Sequence, residues 1–406
     1  MVTKEISVEE FENFASKNRL YNFYQTKEWK ELKEKQGTNT LLIGCYENKK
    51  LCAASLLVIF PFLKLFKFAY FPRGFLVNFQ DYDLLEKVTL SIKEYLKRNK
   101  FAFFRIDPAI TLNRVQTDAT VVLDKSGKQI FDSLNKLGYK HYGYNIGFET
   151  FQARFNHVIY LNDTYEETSA KFSKSTRKNI ETSYNKGVVV KRGEVSDLKE
   201  AYDLFELTAD RKNFHSYSYD FYKNMMETYK EKVTLYMAYI EPQKYKENYE
   251  NLLINEKQKL CEIQDKKKHD NVGKKLIQQE ELSERMIIKY QGEIEKAEKL
   301  GKEPILISSL LSIESGNEYI SFISGMKSDY RDFYPKYAMY NKHINDAIKK
   351  NLKVVNFFGV KGIFDPKDKD YGIYEIKKSF GGETLEYIGQ FDFPINKFLY
   401  NLNKRR

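Results

Sequence analysis

The sequence has few cysteines and no cluster of metal-binding side chains. The chain has three cysteines, Cys45, Cys52 and Cys261, which is an odd number. They form no close pair in the sequence, and no group of histidines lies beside them. This pattern predicts neither a disulfide framework nor a zinc site, and we expect no metal and no cofactor. Scattered thiols fit the cytosol best, which is therefore the expected compartment.

The sequence also has no apolar run long enough for a transmembrane helix. Its longest apolar stretch, Leu51–Leu63, has 13 residues, whereas a membrane-spanning helix needs about 20. The N-terminal stretch contains acidic residues and no apolar core, so no signal peptide is expected.

Positive charge, by contrast, is in excess. The 406 residues include 67 Lys and Arg against 56 Asp and Glu, which gives a formal net charge of +11. Such a surplus favours a polyanionic partner, which can be a nucleic acid, a phosphorylated substrate or an anionic membrane surface. The length allows two or more domains, and 42% hydrophobic residues supply their cores.

The order of helical and strand patterns occurs twice along the chain. A helix, a β-hairpin, a further helix and a buried strand lead up to Asp107, and a similar order recurs from Leu198 to Val360. This order suggests an α+β fold with two tandem N-acetyltransferase-like (GNAT-type) domains, the first comprising residues 1–150 and 383–406 and the second residues 151–382. The glycine-rich turn that usually binds coenzyme A is missing from both copies, which argues against that donor.

Residues 242–303 differ from the rest of the chain in composition. After Pro242 this stretch contains no proline, has nearly equal numbers of acids and bases, and carries apolar residues at spacings of three and four. The pattern predicts two antiparallel helices with a break at residues 269–273, forming a coiled-coil arm inserted in the second domain. A solvated helical hairpin without a partner explains the pattern equally well.

Two further segments contain candidate functional lysines and arginines. Lys171–Arg192 has seven cations against one acid, so Lys174, Arg177 and Lys178 could bind phosphates or simply form a basic surface. Val354–Gly382 combines an apolar strand, two loop glycines and Lys377. A lysine placed there could stabilise negative charge in a transition state, although a strand, loop and solvated helix would look the same.

Several short motifs, each weak alone, occur together in one order. They are Gln25 with Trp29, Tyr70–Gly74, Phe104–Pro108, Ser173–Lys178, Gly359–Val360, Tyr374 with Lys377, and Phe380–Gly382. In this order and spacing they resemble the Fem peptidyltransferases (FemABX, including MurM-like enzymes), and the resemblance extends over nearly the whole chain, arm included.

The resemblance implies transfer of an amino acid from aminoacyl-tRNA to the side-chain amine of the third stem-peptide residue, usually lysine, of a peptidoglycan precursor. The product is an interpeptide bridge. Members with a helical arm mostly resemble enzymes that act on lipid II rather than on the nucleotide-linked precursor. The expected partners are therefore aminoacyl-tRNA, one of these precursors and, peripherally, the inner face of the plasma membrane. A homodimer or a pairing with a sister transferase stays open.

The resemblance also implies roles for individual residues. Lys377 matches the lysine that stabilises the oxyanion, and Asp107 matches an acidic residue near the acceptor amine. Lys33 lies where the family has a precursor-binding lysine, and Tyr334 and Tyr337 resemble further pocket residues. Arg211 and Tyr217 are further candidates for substrate binding, and the basic residues Lys174, Arg177 and Lys178 are the candidates for tRNA binding. Tyr217 and Phe221 depart from the family, which often has arginine and tyrosine there.

Two other functions remain open at this point. A related transferase with the same fold could aminoacylate a lipid or a protein N-terminus. A non-catalytic binding protein could have kept the fold and use the arm to recruit a partner. Lys377 and Asp107 favour catalysis, because a scaffold needs neither of them.

Overall fold

The computed structural model describes residues 1–63, 65–212, 214–269, 273–368 and 370–403. Its first elements, in chain order, are β1 (Val2–Glu5), α1 (Val8–Ala15), α2 (Lys27–Lys35), β2 (Thr40–Glu47), β3 (Lys50–Phe62), β4 (Phe66–Phe71), α3 (Tyr82–Arg98), β5 (Phe101–Ile106), β6 (Thr111–Gln116), β7 (Val121–Leu123), α4 (Lys125–Lys136) and β8 (Lys140–His141).

The later elements begin after a segment of irregular backbone. They are β9 (Phe155–Tyr160), α5 (Tyr165–Ala170), α6 (Lys174–Asn185), β10 (Val188–Gly193), α7 (Leu198–Lys212), α8 (Tyr219–Tyr229), β11 (Val233–Ile240), α9 (Pro242–His269), α10 (Lys274–Lys299), β12 (Ile305–Ser315), β13 (Glu318–Met326), α11 (Pro335–Lys349), β14 (Val354–Val360), α12 (Tyr371–Lys378), β15 (Glu383–Tyr387), β16 (Phe391–Pro394) and α13 (Lys397–Asn403).

The described strands form two sheets. The first has seven strands in the order β1-β2-β3-β4-β5-β16-β8, and the second has nine in the order β10-β11-β12-β13-β14-β9-β15-β6-β7. Each sheet contains one parallel pair among its described strands, β4 with β5 in the first and β13 with β14 in the second. The other described pairs are antiparallel.

One succession of elements occurs in both sheets. The run β1-α1-α2-β2-β3-β4-α3-β5 recurs as β10-α7-α8-β11-β12-β13-α11-β14 if the arm is set aside. The predicted α+β fold with two tandem N-acetyltransferase-like units is thereby confirmed. The sheets also exchange strands, because residues 111–123 and 383–387 pair with the second sheet while β16 joins the first. The predicted domain boundaries therefore stay a prediction.

Helix α3 illustrates how the sequence determines the packing. Asp81 caps its start by accepting a hydrogen bond from the backbone N–H of Leu84, which satisfies a donor that the first turn leaves free. Its inward positions repeat at helical spacing and are at most 1% exposed: Leu85, Val88, Ile92 and Leu96. They pack in one core with the apolar side chains of β5.

The arm consists of α9 and α10, which lie antiparallel. The Tyr249 and Tyr290 rings meet with centroids 5.7 Å apart, and Tyr245 donates a hydrogen bond to Glu293 near the base. Residues 270–272 of the predicted break lie outside the described residues, and a coiled-coil supertwist stays a prediction. In the described part of the chain, no helix is both long and apolar enough to cross a membrane.

Candidate active site

The parallel pair of the second sheet separates partway along its length. β13 and β14 are paired only from Glu318 to Ile320 and from Val354 to Asn356, although β13 continues to Met326 and β14 to Val360. We call the region between residues 321–326 and 357–360 the β13–β14 opening. It separates two strand edges whose backbone groups and side chains can contact other elements.

Lys377 reaches the β14 side of this opening from α12. Its Nζ donates a hydrogen bond to the carbonyl oxygen of Gly359, with a distance of 2.8 Å. The side chain is only 7% exposed. Burial, and secondarily the nearby Lys336 cation, lowers the pKa of Lys377 to about 7, because charge is disfavoured away from water. The predicted oxyanion lysine is therefore a buried cation whose proton is easily lost.

Lys336 reaches the β13 side of the opening and was not among the predicted site residues. Its Nζ donates to the Ser324 hydroxyl, and burial followed by the Arg211 cation lowers its pKa to about 7. The sequence offered one signal, since Lys336 follows Pro335 at the start of α11 and precedes the predicted Tyr337. The structure thus brings a second lysine close to Lys377.

Arg211 lies farther along the same strand edge. Its guanidinium donates to the Ser328 hydroxyl and, at 3.5 Å, to the carbonyl oxygen of Met326. It comes from the last turn of α7 and is exposed. Arg211, Lys336 and Lys377 therefore form a row of three cations around the opening.

Lys33 lies over an aromatic cluster next to this row. Its Nζ is 4.7 Å from the Trp29 ring centroid, 5.4 Å from that of Phe221 and 5.7 Å from that of Tyr217. Burial lowers the pKa of Lys33 to about 8. Tyr217 stacks on Phe221 with centroids 3.9 Å apart, so the two departures from the family pattern contact each other.

Aromatic contacts link this cluster to the opening. The Phe322 ring of β13 lies 6.2 Å from Tyr217 and 5.8 Å from Phe358, between ring centroids. Phe358 directly precedes Gly359, whose carbonyl accepts the Lys377 hydrogen bond. The structure therefore places the predicted residues Lys33, Tyr217 and Lys377 along one connected path.

Asp107 lies at the corresponding end of the first sheet, just after β5. It is 3% exposed, and its carboxylate accepts hydrogen bonds from the Tyr70 hydroxyl (2.6 Å) and the Arg73 backbone N–H (2.8 Å). Burial raises its pKa, an effect that the Arg73 cation opposes. In the described residues, no hydrogen bond or ion pair joins Asp107 to Lys377. Both carboxylate oxygens are thus occupied from within the protein.

A segment of irregular backbone, residues 142–153, connects the surroundings of Asp107 with the opening. Arg73 donates to the Ala153 carbonyl (2.9 Å), and the Gly362 N–H donates to the Ile146 carbonyl (2.7 Å). A side chain at Gly359 would place its Cβ only 2.9 Å from the Phe148 ring, so glycine is required there. We call this stretch the crossing segment; no sequence pattern had marked it.

Tyr334 and Tyr337 lie at the start of α11. Their ring centroids are 6.0 Å apart, and Tyr337 stacks against Phe380 at 5.9 Å, three residues beyond Lys377. Tyr334 has a positive φ of 54° and ends the preceding turn. The two tyrosines therefore border the lysine pair, which is compatible with the predicted substrate contacts.

The predicted tRNA-binding residues all lie on α6. Its Ser173 N–H donates to the Ser379 carbonyl (2.9 Å), so the helix begins where α12 ends. Arg177 donates to the carbonyls of Ala170 and Phe172 at the end of α5. Lys174 and Lys178 are exposed and have no carboxylate partner among the described residues. The basic surface thus adjoins the helix that carries Lys377, and its role stays a prediction.

The arrangement of cations around the opening can stabilise negative charge. Buried lysines beside an opening can act on a developing oxyanion in acyl transfer. In the part of the chain that the structure describes, no group of three or more His, Cys, Asp or Glu side chains is placed to hold a metal ion.

Comparisons with known proteins cover almost the whole chain. A family model described as the FemAB family matches residues 6–405. The chain is 28% identical over 405 residues to the aminoacyltransferase FemA of Staphylococcus epidermidis, covering 98% of this chain and 97% of that protein. It is 28% identical over 402 residues to FemA of Staphylococcus aureus, covering 97% and 96%. The crystal structure of FemX shares the fold, with a TM-score of 0.74, 22% identity and 99% coverage of both chains.

Proposed function

Since the chain belongs to the FemAB family, we propose that it transfers an amino acid from aminoacyl-tRNA to the side-chain amine of a peptidoglycan stem peptide. The acceptor is the third stem residue, a lysine, in lipid II, and the product is part of an interpeptide bridge. The aminoacyltransferase names of relatives that span the chain support this reaction class. The observation that carries the proposal is Lys377, a buried cation at the β13–β14 opening.

The chemistry is a direct acyl transfer. The neutral acceptor amine attacks the ester carbonyl carbon, a C–N bond forms, and the carbonyl oxygen becomes an oxyanion. Lys377 stabilises that oxyanion, because a fixed cation in a dry site acts strongly on charge that develops there. The intermediate then breaks its ester C–O bond, and the terminal ribose oxygen of the tRNA leaves with a proton. No covalent enzyme intermediate is needed, since the aminoacyl ester is already activated.

Asp107 is proposed to orient the acceptor amine or to receive its proton. This role requires an incoming amine to replace one of the two internal hydrogen bonds from Tyr70 and Arg73. The raised pKa of the carboxyl fits proton acceptance. The same bonds also give Asp107 a structural part, because it holds the backbone of Arg73 at the end of β4.

The remaining predicted residues are proposed to bind the two substrates. The aromatic cluster with Lys33 and Tyr217 would hold the precursor, together with Arg211. Tyr334 and Tyr337 would line the approach to Lys377. Lys174, Arg177 and Lys178 would contact the tRNA backbone, whose charge attracts basic surfaces.

We further propose that the protein works at the inner face of the plasma membrane. Leu65, beside the turn between β3 and β4, is 80% exposed, and Phe398 of α13 is 73% exposed. Exposed apolar side chains of this kind can enter the interfacial region of a bilayer. On the arm, Ile254 and Ile288 are 61% and 69% exposed, and we propose that the arm contacts a second copy or a sister transferase.

A transfer assay tests the reaction. Lysine-containing lipid II and the nucleotide-linked precursor are incubated in parallel with tRNA charged with radiolabelled amino acids. We expect label on lipid II, a smaller yield on the nucleotide-linked precursor, and none with hydrolysed tRNA. Label on neither precursor, with folded protein and charged tRNA, would overturn the proposal in favour of another acceptor or a scaffold role.

A further inference from the structure

Two deeply buried arginines of this protein are each paired with a carboxylate. Arg105 donates to both oxygens of Asp392, at 2.6 and 2.9 Å, and Arg154 pairs with Glu386. Burying a charge is costly unless an opposite charge lies close to it. These pairs follow that rule.

The buried Lys377 and the half-buried Lys336 at the β13–β14 opening do not follow it. Arg211, the third cation of the row, is exposed. Among the described residues, the hydrogen-bond acceptors of Lys377, Lys336 and Arg211 are hydroxyl and carbonyl oxygens only. No ion pair with a described carboxylate involves any of them. Their positive charges also act on each other, since Lys336 lowers the pKa of Lys377 and Arg211 lowers that of Lys336. Within the described part of the chain, no carboxylate therefore balances the positive charge of the two lysines.

A single oxyanion carries too little negative charge to balance the positive charges of the row. In the proposed reaction the oxyanion brings a single negative charge, and it is assigned to Lys377. Lys336 comes from a different helix and binds the opposite side of the opening, at Ser324. Its cation is therefore available to a second anionic group of the substrates. Lysine commonly binds phosphate as a compact point charge.

We propose that Lys336 binds a phosphate group of a substrate at the β13–β14 opening, between Lys377 and Arg211. This inference rests on the proposed function for the identity of the substrate, because both the tRNA and lipid II carry phosphates. The phosphate is either a phosphodiester near the 3′ end of the donor or the pyrophosphate of the acceptor. Lys336 holds the substrate in register while Lys377 acts on the reacting carbonyl.

The surroundings of the opening support this assignment. Helix α6, with the exposed Lys174 and Lys178, begins at the Ser379 carbonyl just after α12. A phosphate chain bound along α6 therefore passes close to the helix that carries Lys377. On the other side, Arg211 lies at the end of β13, where it donates to the Met326 carbonyl and the Ser328 hydroxyl. Either source of phosphate thus has a basic approach to Lys336.

The first test is a binding experiment that needs no turnover. Inorganic pyrophosphate is titrated into wild-type protein and into the Lys336→Met and Lys349→Met variants by calorimetry. Lys349 is exposed near the other end of α11 and serves as the matched control. We expect Lys336→Met to weaken binding by about 5- to 20-fold, and Lys336→Arg to restore most of it, as expected for loss of a charge-assisted hydrogen bond. The Lys349→Met variant should bind like wild type.

The second test identifies the source of the phosphate. KM is measured for aminoacyl-tRNA and for lipid II separately, in wild type and Lys336→Met. A rise in the KM for aminoacyl-tRNA assigns a tRNA phosphodiester. In that case the salt dependence of tRNA binding should also correspond to about one released counterion fewer. A rise in the acceptor KM assigns the pyrophosphate.

The outcomes separate this inference from the proposed function. If folded Lys336→Met has the same pyrophosphate affinity and the same two KM values as wild type, the proposed role of Lys336 is overturned. Wild type that binds pyrophosphate through Lys336 but transfers nothing to either precursor would instead overturn the proposed reaction and leave the phosphate site standing.

Discussion

The two parallel strand pairs of this protein have the same topology, but one pair stays together to its end and the other separates. In the first sheet, β4 and β5 stay paired to Phe71 and Ile106, and Asp107 closes their ends by binding Tyr70 and Arg73. In the second, β13 and β14 separate after Ile320 and Asn356. The two units thus share the order of their elements, but only the second has an opening between its parallel strands.

The charges at the two strand ends differ in the same way. The first end has a carboxylate whose two oxygens each accept a hydrogen bond from within the protein. The second has the buried Lys377 and the half-buried Lys336, neither of which has a described carboxylate partner. A satisfied network stabilises a structure, whereas an unbalanced one is ready to bind an ion of opposite charge. We therefore expect the first unit mainly to support the fold and the second to supply the oxyanion-stabilising part of the proposed reaction.

The largest expected effect comes from removing the cation of the second unit. Lys377→Met should lower kcat by about 10²- to 10³-fold, the usual loss when an oxyanion donor is removed. It should not lower stability, because it removes a buried charge that no carboxylate among the described residues balances. Transfer kinetics and thermal unfolding measure both. Lys378→Met is the control, since Lys378 is the next residue and bonds only to the Tyr371 hydroxyl (2.5 Å) among the described residues. Equal losses in the two variants would contradict the assignment.

The matching change in the first unit should act mainly on stability. Asp107→Asn disturbs the hydrogen bonds with Tyr70 and Arg73 and leaves a buried cation less well balanced, so we expect the free energy of unfolding to fall by about 1–3 kcal/mol. Urea denaturation measures it, with Asp83→Asn, an exposed position on α3, as control. A loss of kcat above about 100-fold at unchanged stability would make Asp107 a catalytic base and remove the contrast between the units.

The lowered pKa of Lys377 predicts a pH dependence of stability. The ammonium has a pKa of about 7 in the folded protein and 10.5 as the reference value, so between these values the unfolded chain binds more protons. The free energy of unfolding should therefore rise with pH across this window. The titratable groups near Lys377 are Lys336 from α11 and His157 from β9. Burial lowers the pKa of Lys336 to about 7 and that of His157 to about 4.

Thermal unfolding of wild type and of the Lys336→Met/Lys377→Met double variant, compared from about pH 6.5 to 9, checks this expectation. Wild type should gain stability relative to the double variant as pH rises. A difference that stays constant would show that the lysines keep their ordinary pKa, and the contrast with the satisfied first unit would then weaken.

The smallest expected effect concerns the arm, the other feature that distinguishes the units. In the first unit, β2 and β3 are joined by Asn48 and Lys49, both with positive φ. Replacing residues 241–304 by a two-residue Asn-Gly turn, which suits such a hairpin, should leave both sheets folded with a Tm within about 5 °C of wild type. Binding of the aminoacyl-tRNA donor or of a partner protein should weaken. Unchanged transfer by the folded deletant would show that the arm takes no part.

Much of the fold could be predicted because periodicity is a local property. The helices, the hairpins and the charged arm each have a spacing that identifies them, and their repeated order indicated two units. The exchange of strands could not be predicted in this way. Residues 383–387 pair with β6 and β9, more than 200 positions earlier, and no short pattern encodes such a partner.

The site was predictable where a motif marked it and not where packing determines it. Lys377 was identified from its motif, but the burial of Lys336 depends on how α11 meets β13. Arg177 looked like a phosphate ligand, yet it already bonds two carbonyls of the chain. Hydrogen bonds between distant segments, such as those that occupy Asp107, appear only after folding.

The place where the arm is inserted has a consequence for how such a chain can change over generations. Ile240 and Ile305 lie opposite each other in adjacent strands, so both ends of the insertion leave the sheet at one point. Any segment with ends that close fits there without displacing a strand. The arm can therefore change in length or sequence over generations while the residues around the β13–β14 opening stay the same.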